Sequence, residues 1–156
     1  MRPAFDGRIV NQYCRLMQCM MPTLQDFRNL HQIRGLTTMM DIKNCFDCIP
    51  LHPADRKYAV CLTPMGLYSM TCLTYGWMNA APEAQKRMNR LAMYITNCLA
   101  YIDDIQIKHP LEEGTSGIIK SLDRGAEYMR KHNYQVNTKK FYPAIDEQMD
   151  LVLNLQ

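Results

Sequence analysis

Ala100-Tyr101-Ile102-Asp103-Asp104-Ile105-Gln106-Ile107 is the stretch on which the reading of this chain turns. Apolar residues lead into two adjacent acids and continue on the far side. The pattern predicts a strand, a tight turn and a second strand, with Asp103 and Asp104 at the tip. Aspartate suits such a turn because its short side chain bonds nearby backbone. Two neighbouring carboxylates repel each other unless something positive lies beside them, and hard cations such as Mg²⁺ take carboxylate oxygens. Solvent alone also satisfies an isolated Asp-Asp pair, so its meaning depends on what the other segments bring to it.

At 156 residues the chain is expected to be one domain or a large piece of one. Charged residues make up 21% and the formal net charge is +3. That mild basic excess is compatible with a nucleic-acid partner but does not demand one, since a dedicated binder gathers its basic residues on one face. No apolar run approaches the roughly 20 residues of a membrane span. The segment Met1 to Arg8 lacks the apolar stretch of a signal peptide. The expectation is an intracellular, reducing compartment and no membrane partner. Seven cysteines without framework spacing fit reduced thiols. Cys45-Phe46-Asp47-Cys48 is formally a C-x-x-C, but no second pair follows at finger or ribbon spacing, which argues against zinc.

Outward from the acid pair, the chain alternates strand-like and helical patterns. Residues 4–13 read as a short strand around Ile9 and Val10. Thr23 is placed as an N-cap for a helix carrying Leu24, Phe27, Leu30 and Ile33, which stops near Gly35. Leu36 to Ile42 reads as a buried strand with Asp41 at its end, where an acid is costly unless exposed or bound. Lys57 to Thr63 and Leu67 to Leu73 flank Pro64-Met65-Gly66 as a hairpin. Asn79 to Asn97 reads as a helix with Ala84, Met88, Leu91, Ala92 and Ile95 inward and Pro82 in its first turn. After the acid hairpin, Glu112 to Gly117 reads as a polar loop, with Thr115 or Ser116 capping a second helix that ends near His132-Asn133. Its predicted inward face is Ile118, Ile119, Leu122, Ala126 and Met129. Residues 135–142 and 148–154 read as short strands. The sum is an α+β arrangement, helices on one face of an antiparallel sheet.

Met40-Asp41-Ile42 with Phe46 and Ile49-Pro50-Leu51, Asp55-Arg56-Lys57, Thr63-Pro64-Met65-Gly66-Leu67-Tyr68, Tyr75-Gly76-Trp77-Met78-Asn79-Ala80, Gln85 with Met88, and Tyr101-Ile102-Asp103-Asp104-Ile105 follow one another in order. This series resembles the reverse transcriptases of retroviruses and, more closely, of gypsy-type LTR retrotransposons. The resemblance implies a right-hand polymerase fold: a palm with a ferredoxin-like, split β-α-β-β-α-β sheet, plus part of the fingers. It implies that residues 1–35 and 52–78 are fingers-like and that 36–51 and 79–156 form the palm.

By the same resemblance, Asp41, Asp103 and Asp104 are the catalytic acids. They would hold two Mg²⁺ ions, for which Mn²⁺ can substitute, with the backbone carbonyl of Ile42 as a further ligand. The implied activity is RNA-directed DNA polymerisation. Phosphoryl transfer of that kind needs positioning and charge neutralisation, which two ions roughly 3.5–4 Å apart supply. Phe46 matches the steric gate that favours deoxynucleoside triphosphates over ribonucleotides. Arg2, Phe46, Tyr75 and Gly76 are implied at the incoming nucleotide. Arg8, Gln85, Tyr101, Ile102 and Lys139 are implied at the RNA or DNA template and primer. Asp6 and Asn11 match the spacing of the family's basic segment, in which forked guanidinium donors suit phosphate oxygens.

The chain departs from the family in places. Asn79-Ala80-Ala81-Pro82 carries its proline one position later than the usual Asn-Ala-Pro-Ala, Trp77 replaces a smaller apolar residue, and Tyr75 replaces Phe or Gln. On the family's plan, this stretch lacks the first fingers strands and another triphosphate-binding lysine. It is also expected to lack the thumb and RNase H domain, which, with an integrase, would be neighbours in a polyprotein. The alternative reading is therefore a catalytically inactive, truncated retrotransposon remnant that acts at most as a nucleic-acid-binding or interaction module. A nucleotidyl cyclase on the same palm would account for the acids but not for Phe46 and Tyr75-Gly76.

Overall fold

The computed structural model describes residues 5–145. Arg2 and the strand expected at 148–154 lie outside them. In chain order the elements are α1 (Arg8–Asn11), α2 (Leu24–His31), β1 (Gly35–Asp41), β2 (Val60–Thr63), β3 (Gly66–Ser69), α3 (Ala80–Ala92), β4 (Cys98–Tyr101), β5 (Asp104–Pro110), α4 (Gly114–Lys131) and β6 (Tyr142–Ile145). Short 3-10 turns at Cys45–Cys48, Pro53–Tyr58, Leu111–Glu113 and Thr138–Lys140 join them.

Four strands form one antiparallel sheet in the order β4-β5-β1-β6. With α3 between β1 and β4, and α4 between β5 and β6, this is the split β-α-β-β-α-β topology expected of a palm. The period-2 alternation sorts each strand by face. Met40 of β1 joins Ile105 and Ile107 of β5 in the core with Ala84, Met88 and Leu91 of α3 and Tyr128 and Met129 of α4. Fully burying a side chain such as Ile107 contributes roughly 1.5–3 kcal/mol. Asp41, Met39, Asp104 and Gln106 alternate with those core residues and border a cleft on the other face. There Phe27 of α2 also borders the cleft, and His31 Nε2 lies 3.2 Å from Gln106 Nε2.

Thr23 caps α2 as its sequence predicts. Its hydroxyl accepts from the Asp26 N–H, and the Asp26 carboxylate accepts from the Thr23 N–H at 2.7 Å. The 60–69 hairpin also forms, pairing Thr63 with Gly66 across Pro64-Met65.

Several local expectations are corrected. Residues 8–11 form a helical turn rather than a strand, because the Asn11 N–H closes onto the Gly7 carbonyl at 2.7 Å and the Asn11 side chain is engaged elsewhere. Pro53–Tyr58 is a 3-10 turn, so the hairpin begins only at Val60. Helix α3 ends at Ala92, although Ile95 is still buried in the turn that follows. Helix α4 starts at Gly114, before either expected cap, and its buried face is Gly125, Tyr128 and Met129, leaving Ile119 and Ala126 exposed. Residues 135–142 hold one bridge, Val136 to Ile42, and a turn, with strand pairing resuming at Tyr142.

Candidate active site

Strand register alone brings two of the acids together. Asp41 ends β1 directly opposite Asp104, the first residue of β5. Directly opposed residues of an antiparallel pair present side chains on the same face, their Cβ atoms about 4.5–5.5 Å apart. Asp103 occupies the turn beside them, and its carbonyl accepts the Ile42 N–H at 2.8 Å, which ties the end of β1 to the hairpin tip. Burial raises the pKa of Asp104, and the neighbouring Asp103 and Asp41 carboxylates raise it further.

The turn itself is strained. Ile102 has φ 57°, a left-handed conformation that a β-branched residue rarely adopts. Such strain costs on the order of 1–3 kcal/mol and persists only where surrounding contacts enforce it. Here they grip both sides of the residue. The Ile102 N–H donates to Gln85 Oε1 at 2.7 Å, and Cys45 Sγ donates to the Ile102 carbonyl at 3.9 Å. Gln85 Nε2 donates in turn to the Ala100 carbonyl at 2.7 Å and to Asn89 Oδ1 at 2.7 Å. Gln85 is 0% exposed. The resemblance placed it at the template; in the structure its amide bonds the hairpin backbone. Burial, with the Asp103 carboxylate adding to it, pushes the Cys45 thiol up to about 12. A thiol so held is a structural donor and no nucleophile.

Asp41 is 8% exposed and is held by two side chains from the segment before β6. Asn137 Nδ2 donates to Oδ1 at 2.9 Å, and Lys140 Nζ pairs with Oδ2 at 3.0 Å. The lysine at the acids is thus Lys140. Lys139 is exposed, with its backbone N–H on Asn137 Oδ1 at 3.3 Å. Asn137 caps the 3-10 turn, and that turn points the second lysine of the pair, not the first, at the acids. Reading Asn137-Thr138-Lys139-Lys140 as a capped turn instead of a strand would have pointed to Lys140 as a side chain reaching the end of β1.

The cleft over these groups has a volume of about 550 Å³ and is bordered by Asp41, Tyr101, Asp104, Lys140 and Tyr142, among others. Tyr101 stands opposite Asp104 in register and is exposed. Phe46, on the turn after β1, meets Tyr75 edge to face with ring centroids 4.8 Å apart. The structure therefore brings Phe46 to Tyr75, two residues that the resemblance placed at the nucleotide.

The Tyr75-Gly76 loop is pinned by the N-terminal segment. Phe5 N–H donates to the Tyr75 carbonyl at 3.2 Å. Asn11 Nδ2 donates to the Gly76 carbonyl and Asn11 Oδ1 accepts from the Met78 N–H, both at 2.9 Å. Gly76 has φ +101°, and a Cβ there would lie 1.9 Å from the Phe5 carbonyl oxygen, so only glycine fits. Arg8, expected at the template, is exposed and forms a forked pair with Asp6, the shortest contact being 2.6 Å. Two further amides escaped the sequence reading. Asn79 accepts from the Met17 N–H and donates to the Arg15 carbonyl, each at 2.9 Å, and Asn89 Nδ2 donates to the Met20 carbonyl at 2.8 Å.

Among the described residues, no three acidic, histidine or cysteine side chains are gathered tightly enough to hold a metal ion as they stand. No helix of the described residues is long and apolar enough to cross a membrane.

A polymerase palm is the class of fold that this sheet and its paired acids define. The family model for reverse transcriptase (RNA-dependent DNA polymerase) matches residues 1–147, and the chain belongs to that family. An uncharacterized protein of Caenorhabditis elegans, K02A2.6, is 25% identical over 121 residues, which is 77% of this chain and 9% of that protein. The prototype foamy virus protease-reverse transcriptase shares the fold with a TM-score of 0.76 at 22% identity, over 90% of this chain and 18% of the viral one. Two further foamy viral protease-reverse transcriptase structures each match 90% of this chain at 19% identity. The one in complex with double-stranded DNA has a TM-score of 0.78 over 24% of the viral chain, and the one with an RNA/DNA hybrid 0.75 over 19%. The chain spans less than a quarter of the length of each of these proteins.

Proposed function

We propose that this chain carries the palm and part of the fingers of an RNA-directed DNA polymerase, which adds deoxynucleotides to a primer 3′ end on an RNA or DNA template. The observation that supports this most directly is the register that sets Asp41 opposite Asp104, with Asp103 at the adjoining turn. In this reading residues 36–51 and 79 onward form the palm, and 1–35 with 52–78 the fingers-like part.

The donor set fits divalent cations. Three carboxylates and the Ile42 carbonyl are hard oxygen donors of the kind Mg²⁺ and Mn²⁺ take. Burial, and after it the Asp103 and Asp41 carboxylates, raise the pKa of Asp104, while Lys140 offsets part of that rise. Bound Mg²⁺ would lower the pKa of the primer hydroxyl and neutralise charge on the departing pyrophosphate. The remaining work falls to the chain itself. Asp41, Asp103 and Asp104 would hold the ions, with Asp104 on the primer side. Gln85 fixes the hairpin that carries two of these acids. Phe46, steadied by Tyr75, would fill the space a ribose 2′-hydroxyl needs. The nucleic acids named with the foamy viral structures, double-stranded DNA and an RNA/DNA hybrid, are the class of partner the cleft would receive.

Primer extension on an RNA template with Mg²⁺, comparing the wild type with Asp103→Asn, tests the proposal. Extension by the wild type that the variant loses supports it. No extension by a cooperatively folded wild type would instead favour a nucleic-acid-binding remnant.

A further inference from the structure

We infer that Lys140 is a latch on the acid cluster, a built-in counter-ion that a divalent cation must push off Asp41 before it can bind there. The inference rests on the metal site proposed above and concerns what occupies its place beforehand. Lys140 Nζ lies 3.0 Å from Asp41 Oδ2, where an ion using that oxygen would stand. Mg²⁺ binds oxygen at roughly 2.1 Å, so an ammonium at hydrogen-bond distance from the same oxygen would repel it.

The latch is fastened at its base and loose at its tip. Asn137 N–H donates to the Asp41 carbonyl at 2.8 Å, and the Lys140 N–H donates to the Asn137 carbonyl at 2.9 Å. These bonds hold the backbone turn against the end of β1. The lysine side chain is 60% exposed, so it can swing into solvent without opening the core. Asn137 needs no such movement, because its neutral amide on Oδ1 carries no net charge to oppose an ion. Lys139, next in the chain and exposed, supplies the internal control, since it carries the same charge without being the lysine on Asp41.

The test is Mn²⁺ binding to the full chain without nucleic acid, read from free Mn²⁺ by electron paramagnetic resonance. Folding is verified by thermal melts. Lys140→Met should bind Mn²⁺ about two- to five-fold more tightly than the wild type, the factor that loss of a largely exposed ion pair corresponds to. Lys140→Arg and Lys139→Met should match the wild type. Lys140→Gln, neutral and of similar length, gives the same reading should the methionine variant fail to fold. Equal or weaker binding by both neutral variants overturns the latch and leaves the metal site standing. An equal gain in Lys139→Met overturns it too, because bulk charge would then be the cause. Binding by none of the forms overturns the latch together with the metal site on which it rests.

Discussion

Gln85 holds Ile102 by its backbone N–H at 2.7 Å, from inside the helix that lies behind the acid hairpin. Replacing it by leucine keeps the volume but strands the Ile102 N–H, the Ala100 carbonyl and Asn89 Oδ1. Leaving buried polar groups unsatisfied costs about 1–3 kcal/mol each where water cannot reach them. Gln85→Leu is expected to destabilise the fold by roughly 2 kcal/mol in a urea titration. Any primer extension by the wild type should fall on the order of 100-fold in the variant, the effect of an ångström-scale displacement of acids. Unchanged stability would mean that the amide does not hold the turn.

Phe46 and Tyr75 support one another edge to face, so the gate should fail in two grades. Phe46→Val removes the ring and should raise the use of ribonucleotides relative to deoxynucleotides by about 10- to 100-fold in kcat/KM, the range a pocket achieves by shape alone. Tyr75→Ala leaves the ring present but unsupported and should shift the ratio less. An unaltered ratio in Phe46→Val would assign Phe46 to packing.

Asp104→Asn should stabilise the metal-free chain at neutral pH. Like charges directly opposed across strands cost about 0.2–1 kcal/mol, and the substitution removes one of the pair. The sign with pH follows from the raised pKa of Asp104. The folded chain takes up this proton more readily than the unfolded chain does. The advantage of the variant is therefore full at neutral pH and shrinks as pH falls through the raised pKa towards the ordinary 3.8. Thermal melts of both proteins across that range check the prediction.

The forked pair of Arg8 with Asp6 holds the Asp6 carboxyl down at about 2. Its contribution is full above the ordinary value of 3.8 and is lost as pH falls through about 2. A carboxyl-carbon NMR titration should place the Asp6 midpoint there, and Arg8→Met should return it towards 3.8. An unmoved midpoint in the variant would separate the two residues in solution.

The palm was legible because its signals are periodic or paired. A buried-strand run ending in Asp41 marked β1, apolar residues on either side of the acid pair marked β4 and β5, helical spacing marked α3, and the two acids marked the turn between β4 and β5. What escaped depends on tertiary contact. A glutamine one position from the inward face of α3 does not announce whether it meets water or backbone, and Gln85 meets backbone. Adjacent lysines differ only in which way a 3-10 turn points them, so the contact of Lys140 with Asp41 could not be read from the sequence. Ile9 and Val10 looked strand-like, yet the bonds closing residues 8–11 belong to a helical turn. Arg2, which the resemblance placed at the nucleotide, lies outside the described residues.

The amides of Asn79 and Asn89 fasten a length of chain in which no residue from 12 to 29 is buried. Its attachment to α3 is therefore largely polar, and peeling it away exposes little buried apolar surface. Such a segment opens sub-globally, at a fraction of the free energy that unfolds the sheet. Native-state hydrogen exchange should show the Met17 amide, bonded to Asn79, exchanging well before those of β1 and β5, with an exchange rate insensitive to low denaturant. The molecule would then behave as two cooperative units of unequal strength, the weaker one bordering the acid cleft through Phe27.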